Sequence, residues 1–396
     1  MNYSKRVESL QASPIRKLMP FAIKAKKEGK TVYHLNIGQP DIPTPPCFLE
    51  AINQVKDSVI PYQLSNGDPL LIESIKTYFK KDGLIYHDDE MIITNGGSEA
   101  LIFSLMAICD PGDEVLIPEP FYTNYSGFMA QAGATPVPMI TYAEDGFHLP
   151  KKEIIEALIT DKTKAILFSN PGNPTGTVYH KDELEMLKEL ALKYNLYIIS
   201  DEVYRKLVFD DEVSISLGEL NGIDDRAIII ESVSKRYSSC GARIGAVVSK
   251  NKQLIAHILK LAQLRLSIST LDQVGASALY LLDDEYVSSV KNEYQRRRDI
   301  VMEALKKIPN ITYKIPKGAF YFVVTLPIDN AENYCKWLLE SYSNQNETVM
   351  LAPARDFYVH KELGEKQVRI AYVLGEEKLK RAMEIVKESI EDYNKR

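Results

Sequence analysis

A lysine and an arginine that follow one apolar segment have the chemistry to bind an aldehyde and a phosphate. Lys235 ends the tetrapeptide SVSK, which begins at Ser232 directly after the apolar segment 227–231. A lysine at the end of a strand is usually solvated, but a partly desolvated lysine has a lowered pKa and can form a Schiff base. Arg243 follows in the glycine-containing segment GARIG, and the fork of an arginine guanidinium suits a phosphate.

Two other segments place polar side chains after apolar runs. Asp201 follows the run 196–200, and Tyr204 comes shortly after it in DEVY. An aspartate there could pair with a cationic ring nitrogen, although an aspartate that caps a helix is more common at such a place. The segment 169–176, SNPGNPTG, predicts a rigid non-helical loop because of its prolines and glycines. A plain turn would need only one Pro-Gly or Asn-Gly pair.

A short glycine-serine segment supplies a second place for an anion. Gly97 and Ser98 precede a helical pattern, and the free backbone N–H groups at the start of a helix bind anions. Together with the residues above, they could hold a phosphate beside an amine, a carboxylate and a phenol. That set fits pyridoxal phosphate, which carries a phosphate, an aldehyde, a phenolic oxygen and a pyridine nitrogen.

The elements that must position these residues alternate between strands and helices. Short apolar runs rich in β-branched residues predict strands at 91–94, 114–118, 165–169, 196–200 and 227–231. Amphipathic patterns predict helices at 98–109, with Ser98 as the N-cap, and at 181–194. Strands buried on both faces and alternating with helices predict a parallel α/β sheet, whose carboxyl edge binds ligands.

A different pattern in the last third of the chain predicts a second, smaller α+β domain. Its predicted elements are a long helix over 271–308, a segment at 311–315, a strand at 319–326, a helix at 331–342, segments at 349–352 and 367–373, and a terminal helix from Glu376. The first 45 residues or so show no strand–helix unit of their own and should dock on this domain. We therefore predict a large domain over 47–285 and a small domain formed by 1–46 and 286–396.

Composition excludes several classes of protein. The chain of 396 residues has 48 basic and 54 acidic side chains, and its net charge of −6 argues against a nucleic-acid-binding surface. Four scattered cysteines without a CxxC pair exclude a zinc ribbon and a disulfide framework, so we expect no metal and a cytoplasmic location. No apolar run is long enough to span a membrane.

The order and spacing of its sequence motifs make the chain resemble the fold-type I, class I/II aminotransferases, within the bacterial aspartate aminotransferase-like branch. The matching segments are NIGQPD at 36–41, PEPFY at 118–122, GSEA at 97–100, NPGNPTG at 170–176, DEVY at 201–204, SVSK at 232–235, GARIG at 241–245, PKGAFY at 316–321 and QVRI at 367–370. The resemblance extends over roughly residues 10–390. It implies a large domain with a mainly parallel seven-stranded sheet flanked by helices, and a smaller α+β domain built from both termini.

The resemblance also implies a role for each matching residue. Lys235 would bind the cofactor aldehyde as a Schiff base, and Asp201 would pair with the pyridinium nitrogen. The remaining cofactor contacts would come from Tyr204 and Asn173 at the phenolic oxygen, Tyr122 stacked on the ring, and Gly97, Ser98, Ser232 and Arg243 at the phosphate. Tyr62 would reach that phosphate from the partner subunit of a homodimer. Arg369, with Gly38 and Asn173, would bind the substrate α-carboxylate.

The implied reaction moves an amino group from an L-amino acid to a 2-oxo acid in a ping-pong mechanism. Aspartate and 2-oxoglutarate are the favoured pair, which requires a second carboxylate reader, for which Arg16 is the first candidate and Arg265 the other. Alanine, an aromatic amino acid or kynurenine remains open as the donor, as does a lyase reaction on the same cofactor. A non-catalytic regulator that kept the fold is a remote alternative that the net charge of −6 disfavours.

Overall fold

The computed structural model describes residues 3–8, 10 and 16–396. Within this part of the chain there are thirteen α-helices: α1 (Lys5–Glu8), α2 (Met19–Lys27), α3 (Cys47–Asn53), α4 (Pro69–Lys81), α5 (Gly96–Ile108), α6 (Asn124–Ala132), α7 (Lys152–Glu156), α8 (Lys181–Tyr194), α9 (Lys252–Arg265), α10 (Thr270–Tyr280), α11 (Asp284–Leu305), α12 (Ala331–Glu340) and α13 (Glu376–Tyr393). None of these helices is long and apolar enough to cross a membrane.

Twelve strands lie in the same described ranges: β1 (Thr31–His34), β2 (Met91–Asn95), β3 (Glu114–Glu119), β4 (Thr135–Ile140), β5 (Thr163–Ser169), β6 (Tyr197–Asp201), β7 (Ala227–Ser232), β8 (Ile244–Val248), β9 (Tyr321–Thr325), β10 (Glu347–Met350), β11 (Ala352–Pro353) and β12 (Gln367–Ala371). Short 3-10 turns lie at Asp88–Glu90, Ala143–Asp145, Leu217–Glu219, Arg355–Phe357 and Lys361–Gly364.

Seven of these strands form the central sheet, in the order β2-β8-β7-β6-β5-β3-β4. All neighbours pair in parallel except β8, which is antiparallel to both β2 and β7. The predicted mainly parallel seven-stranded sheet is thereby confirmed. Sequence analysis missed β4 and β8: β4 contains two prolines, which a strand tolerates best at the edge position that it occupies here.

Helices cover both faces of this sheet because alternate strand residues point to opposite sides. Ile93 and Ile166 belong to one hydrophobic cluster, which also contains the buried residues of α4, α8 and α10. Their chain neighbours Ile92 and Leu167 belong to a second cluster, with the buried residues of α5, α6 and α9. The sheet is therefore buried on both sides, and only its edges and strand ends are left for a site.

The two chain termini share a third hydrophobic cluster. It contains buried residues of α2 and β1 together with residues of α11, β9, α12, β10, β12 and α13. Strand β1 pairs in parallel with β10, and β11, β12 and β9 form an antiparallel sheet beside them. The boundaries that we predict between the large and small domains, near residues 46 and 285, stay a prediction.

Three local predictions are wrong. The long helix over 271–308 is two helices, because α10 ends at Tyr280 and the side chain of Asp283 accepts a hydrogen bond from the Tyr286 amide at the start of α11. Ser98 is not an N-cap: α5 already begins at Gly96, whose φ of 69° suits a glycine. The N-terminal segment does have its own elements, α2 and β1.

Candidate active site

A cavity of about 510 Å³ lies at the carboxyl ends of β5, β6 and β7, where it meets the start of α5. It brings together twelve of the fourteen candidate residues named from the sequence: Arg16, Gly38, Gly97, Ser98, Tyr122, Asn173, Asp201, Tyr204, Ser232, Lys235, Arg243 and Arg369. Tyr62 lies outside the cavity and is 81% exposed. This is the edge of a parallel sheet at which ligands are expected to bind.

Lys235 reaches this cavity from the turn that follows β7. The Ser232 hydroxyl accepts a hydrogen bond from the Ser234 amide and donates one to the Ile244 carbonyl, which tightens the turn. The Lys235 ammonium donates a hydrogen bond to the Gly38 carbonyl over 3.0 Å and lies 5.9 Å from the centre of the Tyr204 ring. The amine is thus held inside the cavity by a backbone carbonyl and an aromatic face.

Asp201 is a buried carboxylate at the end of β6. Its Oδ2 accepts a 2.6 Å hydrogen bond from the Tyr125 hydroxyl, and its Oδ1 accepts one from the Val203 amide over 3.4 Å. Burial raises the pKa of Asp201 to about 6, against the lowering effect of these donors. A cation brought beside this carboxylate would therefore be favoured, because it would compensate the charge in a dry site. Sequence analysis missed Tyr125, which looks like any core aromatic.

Replacing Asp201 with asparagine should stabilise the cofactor-free protein. A folded-state pKa near 6 exceeds the ordinary 3.8, so stability falls as pH rises from about 4 to 6 and stays reduced above that. Two pKa units correspond to about 3 kcal/mol, which Asp201→Asn should recover at pH 8 but not near pH 4. Thermal unfolding at both pH values measures this, with the exposed Asp57→Asn as control. A variant no more stable than wild type at pH 8 would contradict the expectation.

The start of α5 and Arg243 together form a concave, donor-rich surface. The first backbone N–H groups of α5, at Gly97 and Ser98, have no partner within the helix. The Arg243 guanidinium donates to the Cys240 and Asn95 carbonyls over 3.0 and 3.2 Å, so that it is held beside this helix end. A Cβ on Gly96 would lie 2.3 Å from that guanidinium and would displace it, and the φ of 69° at Gly96 also favours glycine. These groups fit a phosphate.

Arg369 is a buried cation at the opposite wall of the cavity, on β12. Its guanidinium donates to the Asn173 side-chain oxygen over 3.1 Å and to the Asn36 carbonyl over 2.6 Å. Among the residues that the structure describes, none is a hydrogen-bond partner of its Nε, although Arg369 is only 1% exposed. Burial lowers the pKa of Arg369. A buried cation bonded only to neutral oxygens favours the binding of an anion.

Gly38 and Tyr321 narrow the cavity between Lys235 and Arg369. A Cβ on Gly38 would lie 1.4 Å from the Tyr321 hydroxyl, so only glycine fits there. The Tyr204 hydroxyl donates to the Tyr321 hydroxyl over 3.2 Å, and the ring of Tyr321 lies 4.4 Å from the Arg369 guanidinium carbon. Tyr321 has no separate role in the sequence analysis, because its motif PKGAFY does not distinguish a site residue from the core.

The two candidate readers of a second carboxylate differ in position. Arg16 is an exposed residue that lines the cavity. Arg265 lies outside it, where its guanidinium donates to the Ile93 carbonyl and lies 3.3 Å from Glu99. Arg16 is therefore the one of the two that can meet a ligand in this cavity.

The fold and the cavity define a class of protein. A lysine at a strand end, a buried carboxylate on the neighbouring strand and a helix start beside an arginine, all on a mainly parallel sheet, are the arrangement of the fold-type I enzymes that use pyridoxal phosphate. The family model for aminotransferase class I and II matches residues 30–386. The chain belongs to this family of pyridoxal-phosphate-dependent aminotransferases.

Several known proteins resemble the chain over nearly its whole length. The aspartate aminotransferase of Thermotoga maritima is 34% identical and is covered over 98% of both chains. Among solved structures, an aspartate aminotransferase mutant of Thermus thermophilus matches with a TM-score of 0.90 at 29% identity, over 98% of this chain and 100% of its own. An alanine aminotransferase of Pyrococcus furiosus matches with a TM-score of 0.91 at 31% identity, over 99% and 100%.

Proposed function

We propose that this aminotransferase transfers the amino group of aspartate to 2-oxoglutarate. The observation that carries amino-group transfer is Arg369, a buried guanidinium whose Nε has no partner in the described ranges and which lines the same cavity as Lys235. An α-carboxylate bound there would hold the adjacent α-carbon near Lys235. The choice of aspartate is supported by the names of the relatives: three are aspartate aminotransferases, and others are a bifunctional aspartate and glutamate/aspartate-prephenate aminotransferase and probable aspartate/prephenate aminotransferases.

The residues of the cavity fit pyridoxal phosphate. Its phosphate would be held by Arg243, Ser232 and the start of α5, and its ring nitrogen by Asp201. The remaining contacts would come from Tyr122 at the ring face and from Tyr204 and Asn173 at the phenolic oxygen. When bound, the cofactor supplies an aldehyde that exchanges amino groups and a ring that accepts the electron pair left on the substrate α-carbon.

This chain's own residues then divide the remaining work. Arg369, Asn173 and Gly38 orient the substrate through its α-carboxylate, which fixes the direction of the bond to the α-proton. Lys235, once its amine is released from the cofactor, would remove that α-proton as a general base. As a general acid it would then return the proton to the cofactor carbon that bears the aldehyde. Asp201 holds the positive charge of the ring nitrogen. Amino acid and 2-oxo acid use the same site in turn, which predicts ping-pong kinetics.

Substrate preference is tested by comparing dicarboxylic and uncharged amino acids. We expect aspartate to have the highest kcat/KM of a set that includes alanine, phenylalanine and kynurenine. Arg16→Ala should lower kcat/KM for aspartate much more than for alanine, because only aspartate carries the second carboxylate. Equal losses on both would remove Arg16 from the pocket, and a wild-type preference for alanine or phenylalanine would contradict aspartate as the donor.

Assays of the wild-type enzyme with and without a 2-oxo acid distinguish amino-group transfer from elimination. A lyase would release its product from the amino acid alone, without a 2-oxo acid as acceptor. An aminotransferase converts one equivalent of amino acid per site and then stops until the acceptor is added.

The exposed position of Tyr62 supports a shared active site in a homodimer. A tyrosine that is 81% exposed in the single chain is available to the cofactor phosphate of a second copy. We expect Lys235→Ala and Tyr62→Ala chains, each impaired alone, to regain activity when mixed, because one site per mixed dimer then has both residues intact. Random pairing restores about one quarter of the sites. A mixture no more active than the average of its parents would contradict a shared site.

We also propose that the protein functions in the cytoplasm. All four of its cysteines are free, and Cys109 and Cys335 are buried. Unpaired thiols are typical of reducing compartments.

A further inference from the structure

Two histidines and a glutamate come together away from the active-site cavity. His180 and Glu183 lie at the start of α8, and His148 lies in the segment after the 3-10 turn Ala143–Asp145. The Nδ1 atom of His148 is 2.9 Å from Glu183 Oε2, and the Nδ1 atom of His180 is 3.7 Å from the same oxygen. One ligand atom from each residue lies within 4.8 Å of the others.

These separations suit one tetrahedral metal ion. With metal–ligand bonds of about 2.0–2.1 Å, the ligand atoms around a four-coordinate Zn²⁺ are about 3.3 Å apart. The distances from the two Nδ1 atoms to Glu183 Oε2, 2.9 and 3.7 Å, lie on either side of that value. Two imidazoles and one carboxylate are also ligands that zinc prefers, and three protein ligands leave a fourth position for water.

The carboxylate of this group is held in place by backbone groups. Glu183 Oε1 accepts a 2.8 Å hydrogen bond from the Leu149 amide, and Oε2 accepts one from the His180 amide. The side chain of Glu183 is only 11% exposed, whereas the imidazoles of His148 and His180 are 35% and 55% exposed. The carboxylate is therefore held in a fixed orientation, and the two imidazoles beside it are accessible to an ion from solvent.

A cavity of about 440 Å³ is lined by His148 and His180, the two histidines of this group. Asp145 and Glu212 contribute acidic groups to its lining, and Lys314 and Lys317 contribute basic ones, of which Lys317 is paired with Asp210. The cavity also borders Thr177, whose hydroxyl donates to the Gly146 carbonyl over 2.7 Å. Space for the fourth ligand is thus present beside the SNPGNPTG loop, which also carries Asn173.

We propose that His148, His180 and Glu183 bind one Zn²⁺ per chain, with water from the adjoining cavity as the fourth ligand. The ion would join the segment around residues 145–149 to the start of α8 and so stabilise the outer side of the SNPGNPTG loop. This departs from our expectation of no metal, because sequence spacing relates only His180 to Glu183 and gives no sign of His148. The competing interpretation is a His148–Glu183 hydrogen bond with the His180 ring stacked on His148, 4.7 Å between the ring centres.

The test is equilibrium dialysis of the tag-free, chelator-treated holoenzyme against Zn²⁺. We expect saturation at one ion per chain, and His180→Ala should weaken binding by at least about 100-fold. His180 suits this test because its imidazole lies 3.7 Å from the Glu183 carboxylate, beyond hydrogen-bond distance, and circular dichroism should show that losing its stacking on His148 leaves the fold intact. The exposed His257→Ala is the matched control and should bind Zn²⁺ like wild type.

A second readout separates a specific ion from adventitious binding. Zn²⁺ should raise the thermal unfolding temperature of the wild-type holoenzyme and of His257→Ala, but not that of His180→Ala or Glu183→Gln. No saturable binding, or binding that is unchanged in His180→Ala, would overturn the proposal. Since neither readout uses transamination, their outcome is independent of the substrate proposed above.

Discussion

Lys235→Ala is expected to lower kcat for transamination by at least about 10⁴-fold, the upper end of what one acid–base group contributes. Lys235 is the amine that faces Asp201, Tyr204 and Arg369 in the cavity. It would both bind the cofactor and move the α-proton, so an alanine there removes two functions at once. Steady-state assays at saturating amino and oxo acid measure the loss.

The matched control is Lys250→Ala, which removes a surface lysine paired with Asp224. That variant should keep the wild-type kcat, because the lysine lies outside the cavity. Added small amines should restore part of the activity of Lys235→Ala if proton transfer is what it lacks. A Lys235→Ala enzyme within about tenfold of wild type would contradict the assignment.

Arg369→Ala has the second largest expected effect, on kcat/KM for the amino acid. Truncating one partner of a buried charged pair costs about 2–5 kcal/mol, which corresponds to a loss of about 30- to 5,000-fold. Arg369→Lys should recover little, because an ammonium cannot replace the fork that Asn173 and Asn36 orient. The loss should affect aspartate and alanine alike, since both carry the α-carboxylate.

The control for Arg369 is Arg296→Ala, an arginine that is 60% exposed and paired with Glu293 and Glu376 at the surface. Its kcat/KM should equal that of wild type. Circular dichroism should show that Arg369→Ala is folded, because the side chain it removes is a buried cation without a carboxylate partner in the described protein. Unchanged kcat/KM in a folded Arg369→Ala would contradict its role in carboxylate binding.

The residues on the central sheet were the most predictable part of this site. Asp201 and Lys235 follow runs of buried β-branched residues, and parallel strands bring such ends to one edge. The Gly97–Ser98 segment was found for a similar reason, although its helix begins at Gly96. At each of these positions the local sequence and the geometry of the fold agree, so a short motif is enough to predict the site residue.

Contacts between distant parts of the chain could not be derived in this way. Nothing local distinguishes Tyr125 from a core aromatic, yet its hydroxyl lies 2.6 Å from Asp201. Arg369 reaches Asn173 from a strand of the terminal sheet, and only the family resemblance pointed to it. The break between α10 and α11 was missed because the apolar pattern continues across it, while the cap at Asp283 decides the local backbone.

Borohydride reduction of the holoenzyme, followed by peptide mapping, tests the central claim most directly. Reduction makes the bond between the cofactor and its lysine permanent, so the modified peptide identifies the residue. We expect the mass of the reduced cofactor on the peptide that contains Lys235, and its disappearance when aspartate is added before the borohydride. The same label on another lysine, or an unchanged label after aspartate, would contradict Lys235 as the catalytic amine of an aspartate-using aminotransferase.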